Sequence, residues 1–216
     1  MLPRLLEEQS VNRTRLRTTV FGLLLSAVSL PGFCGTRYVD EVFKDFDFRG
    51  DIPYSFGSDA FYLDVYEPAG DTATMRPLIL LVHGGGFSHG DKGGSIIGEY
   101  ARKLAYRGYL VASMNYRLGD STRSIRSFNE GMYRVISDMK AAIRFLRTTS
   151  GFEFDTGAVF AGGESAGAIS ALHYACWEAE EVPGTLDTAE LKHPVPMDGP
   201  ASIHAVFSLW EIGRAS

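Results

Sequence analysis

At 216 residues the chain is long enough for one domain with a sizeable core, and its 45% hydrophobic and 22% charged content is ordinary for a globular protein. A net charge of −5 with no basic block argues against nucleic acid or an anionic membrane surface as the main partner. Two cysteines, Cys34 and Cys176, supply neither a disulfide framework nor a metal-site spacing.

Residues 1–34 read as a signal peptide or N-terminal anchor. A leader with four arginines runs into the uncharged stretch VFGLLLSAVSL (Val20–Leu30), too short to span a bilayer comfortably but suited to a signal-peptide core. The expected location is therefore secreted or periplasmic. Residues 35–216 form the second unit. Within it, VFKDFDF (Val42–Phe48) and FYLDVYEP (Phe61–Pro68) alternate apolar and polar residues, as half-exposed strands do. LILLVH (Leu78–His83) is continuously apolar and ends in three glycines, the pattern of a strand buried on both faces. IIGEYARKLAYRG reads as a helix closed by Gly108, and YLVASMNY (Tyr109–Tyr116) as the next buried strand. Met132, Val135, Ile136, Met139, Ile143 and Leu146 recur at helical spacing, predicting a helix of about five turns. A third buried strand, Ala158–Gly163, runs into the helical stretch SAGAISALHYACWEAEE, in which Cys176 is expected as a small core hydrophobe. A loop over 183–204 precedes a fourth buried strand, Ala205–Trp210. Alternating strands and helices predict an α/β fold, with a mostly parallel central sheet and helices on both faces.

Two motifs fall at strand ends. Gly163-Glu164-Ser165-Ala166-Gly167 fits G-x-S-x-G, with an apolar strand before it and a helix after it. Such a serine takes strained backbone angles that small neighbours permit, and the following helix aims its first amides at the reaction centre. His83-Gly84-Gly85-Gly86-Phe87 ends another buried strand, and its glycines let backbone N–H groups approach a substrate closely. Three glycines after a strand, with G-x-S-x-G about 80 residues on, point to nucleophilic ester chemistry more than to two unrelated turns.

With RPLILLVHGGGFSHGDK, GYLVASMNYRL and SDMKAAIRFLR…GGESAGA, the chain resembles the α/β-hydrolase superfamily in its carboxylesterase and hormone-sensitive-lipase-like branch. It is most similar to exported esterases of the BD-FAE kind, which include feruloyl and acetyl-xylan esterases. The resemblance covers roughly residues 40–210. It implies Ser165 as the nucleophile, amides of Gly84, Gly85 and Ala166 as the oxyanion hole, and Asn115, Tyr116 and Arg117 as supports. For Arg117 and Asp138 a purely structural polar contact is an equal alternative. The resemblance implies no metal or organic cofactor and a small-molecule or carbohydrate-linked ester as substrate. Two other readings stay open: a serine exopeptidase of the same superfamily, and a non-catalytic hydrolase-like binding protein.

In this fold the acid and then the histidine follow the serine. His173 lies eight residues down the helix, about 12 Å along its axis. His204 precedes the fourth strand and so belongs at the wrong end of the sheet, as do His193, Asp187 and Asp198 in the preceding loop. His83 belongs to the glycine loop, and His89 is expected in solvent. The triad acid and base are therefore expected to be absent and the chain inactive or nearly so, with the last strands of the fold missing and the strand Ala205–Trp210 left as an apolar edge.

Overall fold

The computed structural model describes residues 36–55, 60–119, 124–176 and 201–209. The segment read as a signal peptide, His193, Asp187 and Asp198 lie outside the described residues. Six strands form one sheet: β1 (Phe46–Pro53), β2 (Tyr62–Pro68), β3 (Pro77–Val82), β4 (Leu110–Met114), β5 (Asp155–Glu164) and β6 (Ala205–Leu209), in the order β1-β2-β4-β3-β5-β6. The four strands read as parallel in the sequence are parallel, β4 to β3, β3 to β5 and β5 to β6. Ahead of them, β1 and β2 form an antiparallel flap, with β2 antiparallel to β4.

Among the described residues three helices cover the sheet: α1 (Ser95–Tyr106), α2 (Ile125–Thr148) and α3 (Ala166–Cys176). Strand β3 explains why both faces need cover. Leu78, Leu80 and Val82 pack with α2 and α3, while Ile79 and Leu81 pack with α1. No residue of this strand has a wet side to serve, so its sequence is an unbroken apolar run. The connection from β3 to β4 moves one way across the sheet and that from β4 to β5 moves back past β3. Right-handed crossovers in opposite directions place α1 and α2 on opposite faces. The loops leaving β3 and β5 therefore diverge at their carboxyl ends, the crevice where α/β sheets hold ligands. Helix α2 is fixed at its start by a capping box, in which the Ser124 and Ser127 side chains and backbone amides bond reciprocally.

Four expectations need correction. The first strand is Phe46–Pro53, displaced from Val42–Phe48. Strand β2 is buried from Leu63 to Tyr66, where alternation predicted a half-exposed strand. The cause is Asp64, a polar residue that points inward because its carboxylate pairs with Lys92 Nζ (3.1 Å) and accepts the Asp51 N–H (2.9 Å). Strand β6, expected to be buried, has Ala205 and Ser208 exposed, as suits an outermost strand of the described sheet. Cys176 is exposed. Helix α3 buries its small N-terminal residues, Ala166 to Ala168, Ser170 and Ala171, while Leu172, His173, Ala175 and Cys176 are exposed and Tyr174 stays half-buried against the core.

Candidate active site

Strand β5 ends at Glu164 and helix α3 begins at Ala166, so Ser165 alone makes the turn between them. Its φ is 49°, in the left-handed region, which costs a non-glycine residue about 1–2 kcal/mol. The neighbours pack too closely for any side chain. A Cβ at Gly163 would stand 2.4 Å from the Val82 carbonyl oxygen, and one at Gly167 would stand 2.1 Å from the same atom. The end of β3 thus lies directly against the elbow, and Ser165 itself is exposed.

The glycine loop leaves β3 at this contact. A Cβ at Gly84 would lie 3.3 Å from Ser165 Cβ and 3.2 Å from the Glu164 carbonyl oxygen, so loop and elbow are in van der Waals contact. Gly85 turns at φ 111°, where a Cβ would strike the His89 carbonyl oxygen at 1.9 Å. Gly84, Gly85, Ser165 and Ala166, all singled out in the sequence, are brought to one place at the carboxyl edge of the sheet.

A family model described as BD-FAE matches residues 63–209, most of the chain and all of the elements that build this edge. The chain belongs to the BD-FAE family. Among curated proteins, carboxylesterase 1D of Mus musculus is similar to this BD-FAE chain at 31% identity, over 67% of the chain but 26% of the relative. Among solved structures, esterase B of Lactobacillus rhamnosis, inhibited by a tributyrin phosphonate, aligns with a TM-score of 0.54 at 26% identity, covering 78% of this chain and 47% of that one. An esterase of Thermogutta terrifontis, solved with butyrate bound, shares the fold with a TM-score of 0.54 at 22% identity, covering 73% of this chain and 51% of that one. The chain thus spans about half of those two solved chains and about a quarter of the mouse carboxylesterase. These likenesses make the fold that of an α/β-hydrolase and the family carboxylesterase-like.

In this BD-FAE chain the loop peptides are locked from behind. His83 Nδ1 lies 2.7 Å from the Gly84 carbonyl oxygen, and because a carbonyl only accepts, Nδ1 carries the proton. Burial pushes the His83 imidazole below its ordinary pKa, against the opposing pull of that hydrogen bond, so the ring is neutral at pH 7. The Tyr116 ring stacks on it at 4.2 Å, and the Tyr116 hydroxyl donates to the carbonyls of His83 (3.1 Å) and Gly84 (3.4 Å). Burial and the nearby Glu164 charge push the phenol pKa up, so it remains a donor. A trans peptide is planar, with its N–H opposite its C=O. Holding these two carbonyls from behind therefore aims the Gly84 and Gly85 N–H groups the other way.

Asn115 and Arg117 flank Tyr116 and anchor its strand end. Asn115 Oδ1 accepts the Lys92 N–H (2.6 Å), its Nδ2 donates to Asp91 Oδ2 (2.9 Å), and its carbonyl accepts the Tyr54 hydroxyl (2.6 Å). Arg117 pairs with Asp138 of α2, through its backbone N–H (2.9 Å), Nε (2.9 Å) and a terminal guanidinium nitrogen (2.7 Å). The structural contact left open for these two residues is one they make with each other. A cleft of about 230 Å³ opens beside the loop, between Gly84, Gly85, His89, Glu164 and the first turn of α1. Among the described residues no three His, Cys, Asp or Glu side chains gather as a metal-binding group. No described helix is long and apolar enough to cross a membrane.

The described histidines stand as follows. His173 is exposed on α3, its Nδ1 2.9 Å from the Ile169 carbonyl oxygen. His204 sits level with Val159, whose N–H it accepts at 3.1 Å, six residues or about 20 Å below Ser165 along β5. His89 is exposed beside Ser88 (3.2 Å). Sequence reasoning missed Tyr54, Asp91 and Lys92 as supports. Asp91 and Lys92 follow the glycine loop directly, a signal of a sort, whereas nothing near Tyr54 marks it.

Proposed function

We propose that this chain hydrolyses carboxylic esters through an acyl-enzyme on Ser165. The observation that supports this best is the contact between Gly84 and a left-handed Ser165, which gathers a nucleophile and a row of amides at one point. The Ser165 hydroxyl oxygen attacks the ester carbonyl and its proton passes to solvent water, the acceptor where no side chain supplies one. The amides of Gly84, Gly85 and Ala166 hold the negative oxygen, the alcohol leaves with a proton, and water then releases the acid. The remainder of α3 stabilises the same charge, because its N-terminus begins at Ala166.

Among the described residues no side chain hydrogen-bonds the Ser165 hydroxyl, and His173 and His204 are held elsewhere by their own bonds. Without a base the serine stays protonated and weakly nucleophilic. The expected substrate order is therefore steep. An aryl ester with a good leaving group, 4-nitrophenyl acetate, is turned over well ahead of ethyl acetate, and Ser165→Ala reduces the first rate to that of solvent. Equal rates for the wild type and Ser165→Ala would overturn the proposal. Ser165-dependent hydrolysis of both esters at similar rates would instead locate a base in the chain, and His193→Ala is the first variant to make in that case.

Tyr116→Phe tests the aiming of the amides. It keeps the ring on His83 and removes only the hydroxyl that holds two loop carbonyls. The expected result is a loss of about three- to tenfold in kcat on 4-nitrophenyl acetate with KM little changed, the signature of an interaction felt mainly in the transition state. A rise in KM at constant kcat would assign the tyrosine to ground-state binding.

A further inference from the structure

We propose that Phe128, whose ring meets that of Phe87, forms with the exposed Leu118 and Ile125 the wall that receives a bulky apolar group of the ester. This rests on the ester-hydrolase proposal for Ser165 and adds the residues that set its selectivity. Phe87 closes the glycine loop and is held in three ways. Its backbone turns at φ 66°, rare for a bulky residue; its carbonyl accepts the Gly119 N–H at 2.7 Å; and its Cβ approaches so near α2 that a side-chain carbon at Gly131 would lie 2.7 Å from it. Its ring is 3% exposed and meets the Phe128 ring edge-on at 5.1 Å.

What surrounds this fixed ring is exposed to solvent. Phe128 is 42% exposed, Ile125 one turn earlier on the same face of α2 is 83% exposed, and Leu118, beside Gly119, is 45% exposed. Large apolar side chains are scattered singly over most surfaces, but here three lie within eleven positions of one another. They lie where β4 gives way to α2, at the sheet edge that carries Ser165. The Phe128 ring lies near the oxyanion loop, since it meets the ring of Phe87, which is three residues beyond Gly84 and no more than about 11 Å of chain from it. An ester held by the Gly84 and Gly85 amides can lay a long or ring-sized substituent against Phe128. The same chemistry can come from the acyl side or from the alcohol side of the ester.

The test uses the full chain and its Phe128→Ala and Phe128→Leu variants. In the acyl arm, kcat/KM for 4-nitrophenyl hexanoate is divided by that for 4-nitrophenyl acetate; in the alcohol arm, that for 2-naphthyl acetate is divided by that for phenyl acetate. Phe128→Ala is expected to lower one of these ratios about tenfold and Phe128→Leu to keep most of it; the arm that responds identifies the source. Binding of N-benzylhexanamide, which is not hydrolysed as an ester, is followed in parallel by ligand-observed NMR and is expected to be lost in Phe128→Ala. Unchanged ratios or retained amide binding overturn the proposal, while Ser165-dependent acetate hydrolysis leaves the ester-hydrolase proposal standing. If no turnover depends on Ser165, that reading falls and the amide measurement alone decides on the wall. A wild type that is dimeric at micromolar concentration and becomes monomeric in Phe128→Ala also overturns it, by giving the patch to a second copy.

Discussion

Asp138→Ala is expected to lower the unfolding free energy by about 3–5 kcal/mol, the usual result of removing one partner from a buried ion pair. Asp138 is fully buried, and the Arg117 side chain against it is only 16% exposed. The lost carboxylate takes its ion pair from a guanidinium that has little water to turn to. It also strands the Arg117 backbone N–H, which donates to Asp138 Oδ2. For a domain of this size each kcal/mol shifts the melting temperature by roughly 2–4 °C, so a drop of about 10 °C is expected by calorimetry. Replacing both partners with apolar residues of similar volume, Arg117→Met with Asp138→Leu, should recover much of the loss. A melting temperature unchanged in Asp138→Ala would mean that solvent reaches this pair freely.

Gly167→Ala is expected to destabilise by about 2 kcal/mol, and here the sign is the test. In an ordinary helix the change would stabilise by about 1 kcal/mol. In α3 the new methyl group would meet the Val82 carbonyl oxygen at 2.1 Å, its carbon at 2.6 Å and the His83 carbonyl oxygen at 2.8 Å. All three are backbone atoms at the root of the glycine loop, so no rotamer change relieves the clash. Overpacking of this kind costs about 1–3 kcal/mol and occasionally more, enough to reverse the helix preference. Any activity on aryl esters should fall with it, because separating α3 from β3 also separates Ser165 from Gly84. A higher melting temperature in Gly167→Ala would show that the elbow and β3 are not packed this closely.

The elbow and the glycine loop were legible in the sequence because each is a local device. Abrupt turns demand glycine, and unbroken apolar runs demand burial, whatever lies elsewhere in the chain. The parallel sense of the four central strands followed from the alternation of those runs with helices, whereas their order across the sheet did not. What stayed hidden depends on a partner far away in the chain. Asp64 looked like the polar half of an alternating strand, until Lys92 gave it a reason to face inward. Cys176 sat in an apolar run, yet its place on the outer side of α3 shows only once Tyr174 is seen packed on the core and bonded to the Ala201 carbonyl, 27 positions further on. The Tyr116 hydroxyl serves two carbonyls more than 30 positions back, and the pairing of Arg117 with Asp138 spans 21 positions. The apolar wall beside Phe87 was unreadable for a related reason: Leu118, Ile125 and Phe128 look like any other core candidates until the rings are placed.

The contact between Gly84 and Ser165 joins residues 81 positions apart, and it forms only once β3 has found β5 as its parallel neighbour. Loops of that length close late, and parallel pairing across them is slow. During synthesis the first three strands leave the ribosome well before β5 does, so the apolar faces of β3 must wait with no partner on one edge. Hydrogen-exchange protection of the amides of β3 and β5, followed through a refolding reaction, would therefore clock the pairing of these two strands rather than the formation of any single helix.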